Sequence, residues 1–266
     1  MRESRVLGAM LGLAAGDRIG GPTRMALQLS QSLVHSQGFA VEEVAARYLA
    51  WWQTEGFDTG PTAARVFLGV EQGQSWEAAA ARVNQQAGGL TAGCNPAHRS
   101  APLALCAFIP DHQLAEYAHV EARLTHLHPL AGDVSAAVVC LCRALLRGDS
   151  WECARQSAAL GRLPETQEAL ELSEAKRLSA GGFAPEVLRA ALAFIETSPS
   201  LSEALERAIA FADPANYCPV LVGSLGGARW GAEAIPGALL TSHAVLRPML
   251  EQTAQSLAAD WEERAS

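Results

Sequence analysis

Few residues in this chain combine type and spacing in a way that could do chemistry, and each has a plainer structural explanation beside the reactive one. Four histidines, His112, His119, His126 and His128, lie close together. Histidine pairs are common zinc ligands, but these intervals match no strong zinc motif. His112 and His119 are expected at the surface, and His126 on residue type alone is a solvated or packed helix histidine. Arg99 follows a glycine-bearing stretch, Thr91 to Pro102. It could grip a phosphate with two N–H groups, or it could cover the start of the next helix. Cys94 would be a nucleophile only with a base or cation to lower its pKa, and no such partner is visible in the sequence. No motif supports a serine–histidine–aspartate triad.

Composition narrows the classes of function further. The chain has 266 residues, 49% hydrophobic and 18% charged, with Gly and Pro scattered, which is enough apolar material for one large core. A formal charge of −8 leaves no broad basic surface to neutralise a nucleic-acid backbone, so no nucleic-acid partner is expected. A nucleotide-sized anion is not excluded, because one arginine and a helix N-terminus suffice to hold it. Six cysteines without a CxxC pair are expected as reduced, mostly buried thiols in a cytoplasmic protein. Arg2 and Arg5 precede an apolar stretch, Val6 to Ala15, that superficially resembles a signal sequence. Glu3 and three evenly spaced glycines oppose that, and the stretch falls short of the roughly 20 residues of a membrane span. No membrane association is expected.

The elements that must carry these residues are helices. Gly8, Gly12 and Gly16 stand four apart, so on a helix they line one face and admit another backbone closely. A second helix is expected to end near Gly38, and a third to span Val41 to Trp52, followed by a loop from Gly56 to Pro61. Ser75 caps a helix that dissolves at Gly88 and Gly89, and Thr91 to Pro102 is a polar turn segment. Asp111 to Leu127 is a helix or helix pair, Ser135 to Leu146 an apolar helix ending at Gly148, and Ser150 caps the next. Pro164 to Leu178 is helical, Pro185 opens Glu186 to Ile195, and Ser202 caps Glu203 to Phe211. With no sustained alternation of period two and no βαβ rhythm, the expected fold is an all-α, orthogonal multi-helix domain spanning residues 1–266.

Three stretches, in order, resemble the ADP-ribosylglycohydrolase family. RVLGAMLGLAAGDRIG, Arg5 to Gly20, is similar to its opening helix and Gly-Asp turn, continued by RMALQLSQSL at Arg24 to Leu33 and VEEVAARYLAWW at Val41 to Trp52. TAGCNPAHRSAPL, Thr91 to Leu103, resembles its glycine-asparagine-glycine loop leading into a methionine, an arginine and a proline. Ala92, Gly93, Arg99 and Pro102 match, while Cys94 replaces an asparagine and His98 the methionine. Thr125-His126 with Pro129 resembles a threonine-histidine pair, and Gly182 to Pro236 follows the closing helices.

The resemblance implies an all-α fold, two magnesium ions, and hydrolysis of the bond between ADP-ribose and a protein side chain or related group. It implies Asp58, in FDTGPT, on a loop lining the substrate cleft, where a carboxylate accepts ribose hydroxyls. Gly93, Arg99, His126 and Asn216 are the other ligand-binding residues it points to. Here the chain departs from the pattern. Gly20, Gly21, Pro22 and Thr23 stand where a threonine-aspartate-aspartate-threonine run should precede the second helix. Asp213, Pro214, Ala215, Asn216 and Tyr217 stand where glycine-aspartate-x-aspartate-threonine should close the site, with Asp213 one position early. Magnesium needs hard oxygen ligands, usually with carboxylates to offset its charge, so no metal cofactor is expected. Asp17, Asp58 and Asp213 are the carboxylates a rearranged site could use, and Asp17 is expected to serve its turn structurally. The expectation is a pseudoenzyme with a cleft for ADP-ribose, a nucleotide or an ADP-ribosylated protein. An active hydrolase with a rearranged site and a structural or protein-interaction module are the alternatives.

Overall fold

Glycines on one helical face leave a groove of bare backbone, and the computed structural model, which describes residues 2–172, 177–259 and 261, shows what fills it. The helices are α1 (Arg2–Gly16), α2 (Gly21–Ser36), α3 (Val41–Thr54), α4 (Gly60–Glu71), α5 (Trp76–Gln86), α6 (Asn95–Arg99), α7 (Ala101–Leu105), α8 (Asp111–Arg123), α9 (Pro129–Arg147), α10 (Trp151–Ala159), α11 (Pro164–Glu171), α12 (Ala184–Glu196), α13 (Leu201–Ala212), α14 (Cys218–Trp230) and α15 (Arg247–Ala258), with two 3₁₀ segments before the last. α14 presses its own glycines, Gly223 and Gly227, onto the glycine face of α1. A Cβ at Gly12 would stand 2.7 Å from the Gly223 carbonyl carbon, so any side chain there forces the two backbones apart.

The fold is all-α, and among the described residues the nearest thing to a sheet is one antiparallel bridge, Gly93 with Phe183. α9 is long and apolar enough to cross a membrane, but 89% of that stretch is buried among the other helices. One contiguous apolar cluster runs from Val6 on α1 to Leu257 on α15 and Trp261 beyond it. The cysteines are free, four buried, Cys140 partly buried and Cys153 exposed.

Several boundaries differ from expectation. Gly60 and Pro61 open a helix, α4, instead of closing a loop, because proline tolerates the first helical turn and Ala63, Val66 and Phe67 supply a buried face. Thr91 to Pro102 holds one short helix, α6, and the start of another, α7, and α9 begins at Pro129, where the His128 ring accepts from the Leu130 N–H. The histidine-bearing segment is a single helix, α8, ending at Arg123. Ser75 and Ser150 cap as expected, but Ser200, not Ser202, caps α13, accepting from the Glu203 N–H at 3.3 Å. α11 stops at Glu171. Of the helix expected to reach Leu178, residues 173–176 lie outside the described residues, and Arg177 and Leu178 are not helical.

Candidate functional site

The turn after α1 is built on one carboxylate. Asp17 is 1% exposed, and one of its oxygens accepts from the Ile19 N–H at 3.2 Å, the Gly20 N–H at 2.8 Å and the Asn216 amide. The other accepts from the Thr23 N–H at 2.8 Å and the Thr23 hydroxyl at 2.7 Å. These five donors come from the turn, the first residues of α2 and the segment before α14, so Asp17 ties three parts of the chain together. The donors at the start of α2 are the N–H groups a helix leaves unpaired, and a carboxylate is their natural partner. Asn216 is held in turn by the Arg18 N–H at 3.1 Å, and the Arg18 guanidinium binds the carbonyls of Asp213 and Ala215.

Above this anchor lies a half-open hollow of about 170 Å³. Ile19 and Pro22 form one side, Asp58 and Gly60 the second, Asn95 and His98 the floor of the third, and Pro214 to Tyr217 the last. Asp58 adopts a left-handed backbone conformation, φ 52°, which aspartate tolerates better than most residues. Its side chain accepts from the Gly21 N–H at 3.2 Å, and the Asn95 amide N–H binds the neighbouring Thr59 carbonyl. A Cβ at Gly60, φ 72°, would meet the Asn95 amide at 2.8 Å, so the loop needs glycine there. Burial, reinforced by the nearby Asp17 charge, raises the Asp58 pKa to about 6. His98 is 3% exposed and its Nε2 has no hydrogen-bond partner. Burial lowers its pKa to about 4, leaving a neutral imidazole near pH 7.

Tyr217 stands beside Gly182 of a second hollow, of about 310 Å³, lined by Thr62, Leu90, Ala92, Gly93, His128, Gly182 and Phe183. Its ring lies against Gly182, where an added Cβ would stand 3.1 Å from it. The walls are backbone: the Cys94 N–H donates to the Gly182 carbonyl and the Ala184 N–H to the Ala92 carbonyl.

The five residues expected to bind ligand therefore separate. Asp58 and Asn216 share the first hollow, although the Asn216 oxygen already accepts from Arg18 and one of its N–H groups donates to Asp17. Gly93 lines the second, and His126 sits behind it, its Nε2 3.1 Å from where a Gly93 Cβ would be. His126 is 3% exposed and contacts the Thr125 hydroxyl at 2.9 Å, while burial and then the charge of Arg99 lower its pKa to about 3. Arg99 is placed otherwise than a phosphate ligand would be. It is fully buried, 2.5 Å from Glu121 and 2.9 Å from Thr125, with its guanidinium over the Tyr48 ring, and the Tyr48 hydroxyl donates to the same Glu121 oxygen. It cements α3, α6 and α8 and lines neither hollow.

His98 and Asn95 line the first hollow without having been expected there, and Tyr217 lines it from the end of the stretch that stands in place of the closing motif. The signal for His98 was its replacement of a methionine beside Arg99. Asp213, a candidate replacement acid, precedes the wall without lining it. Cys94 is buried with its pKa pushed above the ordinary thiol range, mainly by burial, which makes it unreactive. Among the described residues no group of three His, Cys, Asp or Glu side chains is arranged to hold a metal ion.

The model of the ADP-ribosylglycohydrolase family matches residues 22–266. A curated relative, the ADP-ribosyl-[dinitrogen reductase] glycohydrolase of Rhodospirillum rubrum, is 22% identical over 274 aligned residues that cover 90% of each chain. A solved structure described as an ADP-ribosylglycohydrolase-related protein complex superposes with a TM-score of 0.77 at 26% identity, over 97% of this chain and 98% of that one.

Proposed function

The chain belongs to the ADP-ribosylglycohydrolase family, and from that premise we propose that it is a catalytically impaired member whose cleft binds ADP-ribose, or an ADP-ribosylated protein, weakly and without magnesium. The observation that carries this proposal is the state of Asp17. Both its oxygens are filled by five protein donors, so it has no lone pairs left for an ion. Asp58 is then the one carboxylate among the described residues lining the hollow, and a magnesium pair needs several. The residues present do not fit two metal ions. Weak binding follows from the walls. No lysine or arginine lines either hollow among the described residues, so a diphosphate finds no countercharge.

Titration calorimetry with ADP-ribose, in EDTA and in magnesium, tests the proposal. Weak binding of equal strength in both, with no ADP-ribose released from an ADP-ribosylated protein, is the expected outcome. Magnesium-dependent release would overturn it.

A second reading, metal-free hydrolysis by a rearranged site, draws on Asp58, whose pKa near 6 suits a general acid. Glycoside hydrolysis uses two carboxyl groups, however, and the partner nearest to hand, Asp17, is occupied. The same release assay run in EDTA distinguishes it.

A further inference from the structure

His98 is a buried polar side chain with an unfilled function. In folded proteins such atoms are rare, because an unmet hydrogen bond away from water is costly. His98 is 3% exposed, lines the first hollow, and leaves its Nε2 without a partner. Among the described residues no group of three His, Cys, Asp or Glu side chains that could hold a metal includes it. Burial holds the imidazole neutral, outweighing the nearby Asp17 charge and a backbone hydrogen bond at Tyr217 that favour the proton, so it offers no countercharge to an anion. Further polar functions stand around it. Asn95 spends one N–H on the Thr59 carbonyl, which leaves its oxygen and a second N–H, and Asp58 has used one oxygen on Gly21. A hollow that offers a neutral imidazole, a carboxylate and an amide, with no lysine or arginine among the described residues lining it, suits an uncharged ligand rich in hydroxyls. About 170 Å³ is below the roughly 300–1,000 Å³ of a pocket for a drug-sized molecule and nearer the size of one sugar ring.

We infer that His98 is the specificity-determining residue of this cleft, its Nε2 engaging a hydroxyl of the ligand's sugar beside Asp58 and Asn95, so that sugar hydroxyls rather than phosphates are what the first hollow reads. The inference rests on the proposed ADP-ribose binding and goes beyond it, since it assigns recognition to a residue that replaces a methionine of the family pattern.

The test is calorimetry of ADP-ribose in EDTA with the wild type, His98→Met and His98→Gln, together with ¹⁵N imidazole spectra of the wild type. Met fills the ring's volume without the polar atom, whereas Gln places a polar group near Nε2. Loss of one such hydrogen bond predicts about tenfold weaker binding for His98→Met, with His98→Gln within about threefold of wild type. The Nε2 resonance of His98 should shift on titration. Wild-type binding with an unmoved Nε2 resonance, or with His98→Met binding equally well, overturns the role of His98 and leaves the ADP-ribose proposal standing. No binding by the wild type overturns both. The spectra decide the matter on the native protein if His98→Met does not fold.

Discussion

Replacing Asp17 by asparagine separates a structural carboxylate from a reactive one with the exchange of a single heavy atom. The amide keeps one acceptor oxygen, which can still serve the Ile19, Gly20 and Asn216 donors. The other oxygen becomes an NH₂ group facing the Thr23 N–H at 2.8 Å and the Thr23 hydroxyl at 2.7 Å. The hydroxyl can rotate to accept, but the backbone N–H cannot, so two donors confront each other in a place that water does not reach. A hydrogen bond to a charged acceptor contributes about 1.5–3 kcal/mol, and the three bonds on the retained oxygen also lose their charge assistance. The sum is about 3 kcal/mol of stability. At roughly 2–4 °C per kcal/mol for a large domain, that lowers the Tm by about 6–12 °C, measurable by circular dichroism. The same substitution removes the charge that helps raise Asp58, so the Asp58 pKa should fall from about 6, as followed by ¹³C carboxyl titration. A Tm within about 2 °C of wild type would refute the reasoning, for it would mean that the carboxylate is not the tie between the turn, α2 and the Asn216 segment.

Two further outcomes follow from groups buried around the cleft. Arg99→Ala should cost about 3–5 kcal/mol or prevent folding, because it leaves the buried Glu121 carboxylate uncompensated, and the double variant Arg99→Met with Glu121→Leu should recover much of the loss in urea unfolding. An Arg99→Ala protein as stable as wild type would show that the ion pair is not structural. For pH, His98 and His126 have folded pKa values of about 4 and 3 against about 6.5 unfolded, so below pH 6.5 the unfolded chain binds more protons and stability falls. Asp58, raised to about 6, acts oppositely between about pH 4 and 6, where the folded state holds the extra proton. Two histidines against one half-buried aspartate predict a net loss of stability from pH 6.5 to 4.5, which His126→Gln should reduce, and a flat or rising urea midpoint over that range would contradict it.

What the sequence disclosed about this fold and what it withheld differ by the range of the interaction involved. The glycine face of α1 and the caps at Ser75 and Ser150 are local facts, settled within a turn of helix, and they were legible. The apolar face of α4 was equally local, but the Gly-Pro pair before it reads as a loop, and only Ala63, Val66 and Phe67 packing inward shows that the pair starts a helix. Arg99 depends on Glu121, Thr125 and Tyr48, none of them near it in the chain, and a lone arginine after a glycine loop gives no sign of them. His98 shows the limit most sharply. Neighbours on a helix point about 100° apart, so of His98 and Arg99 only one can face the cleft, and the phase of α6 decides which. That phase is set where the helix begins, at Asn95, whose amide is bound to the Thr59 carbonyl of a loop far upstream. A contact between the first residue of α6 and the loop before α4 thus gives the cleft a histidine and the core an arginine. Expecting the arginine in the cleft follows from residue type and the family pattern, and placing the histidine there requires the contact.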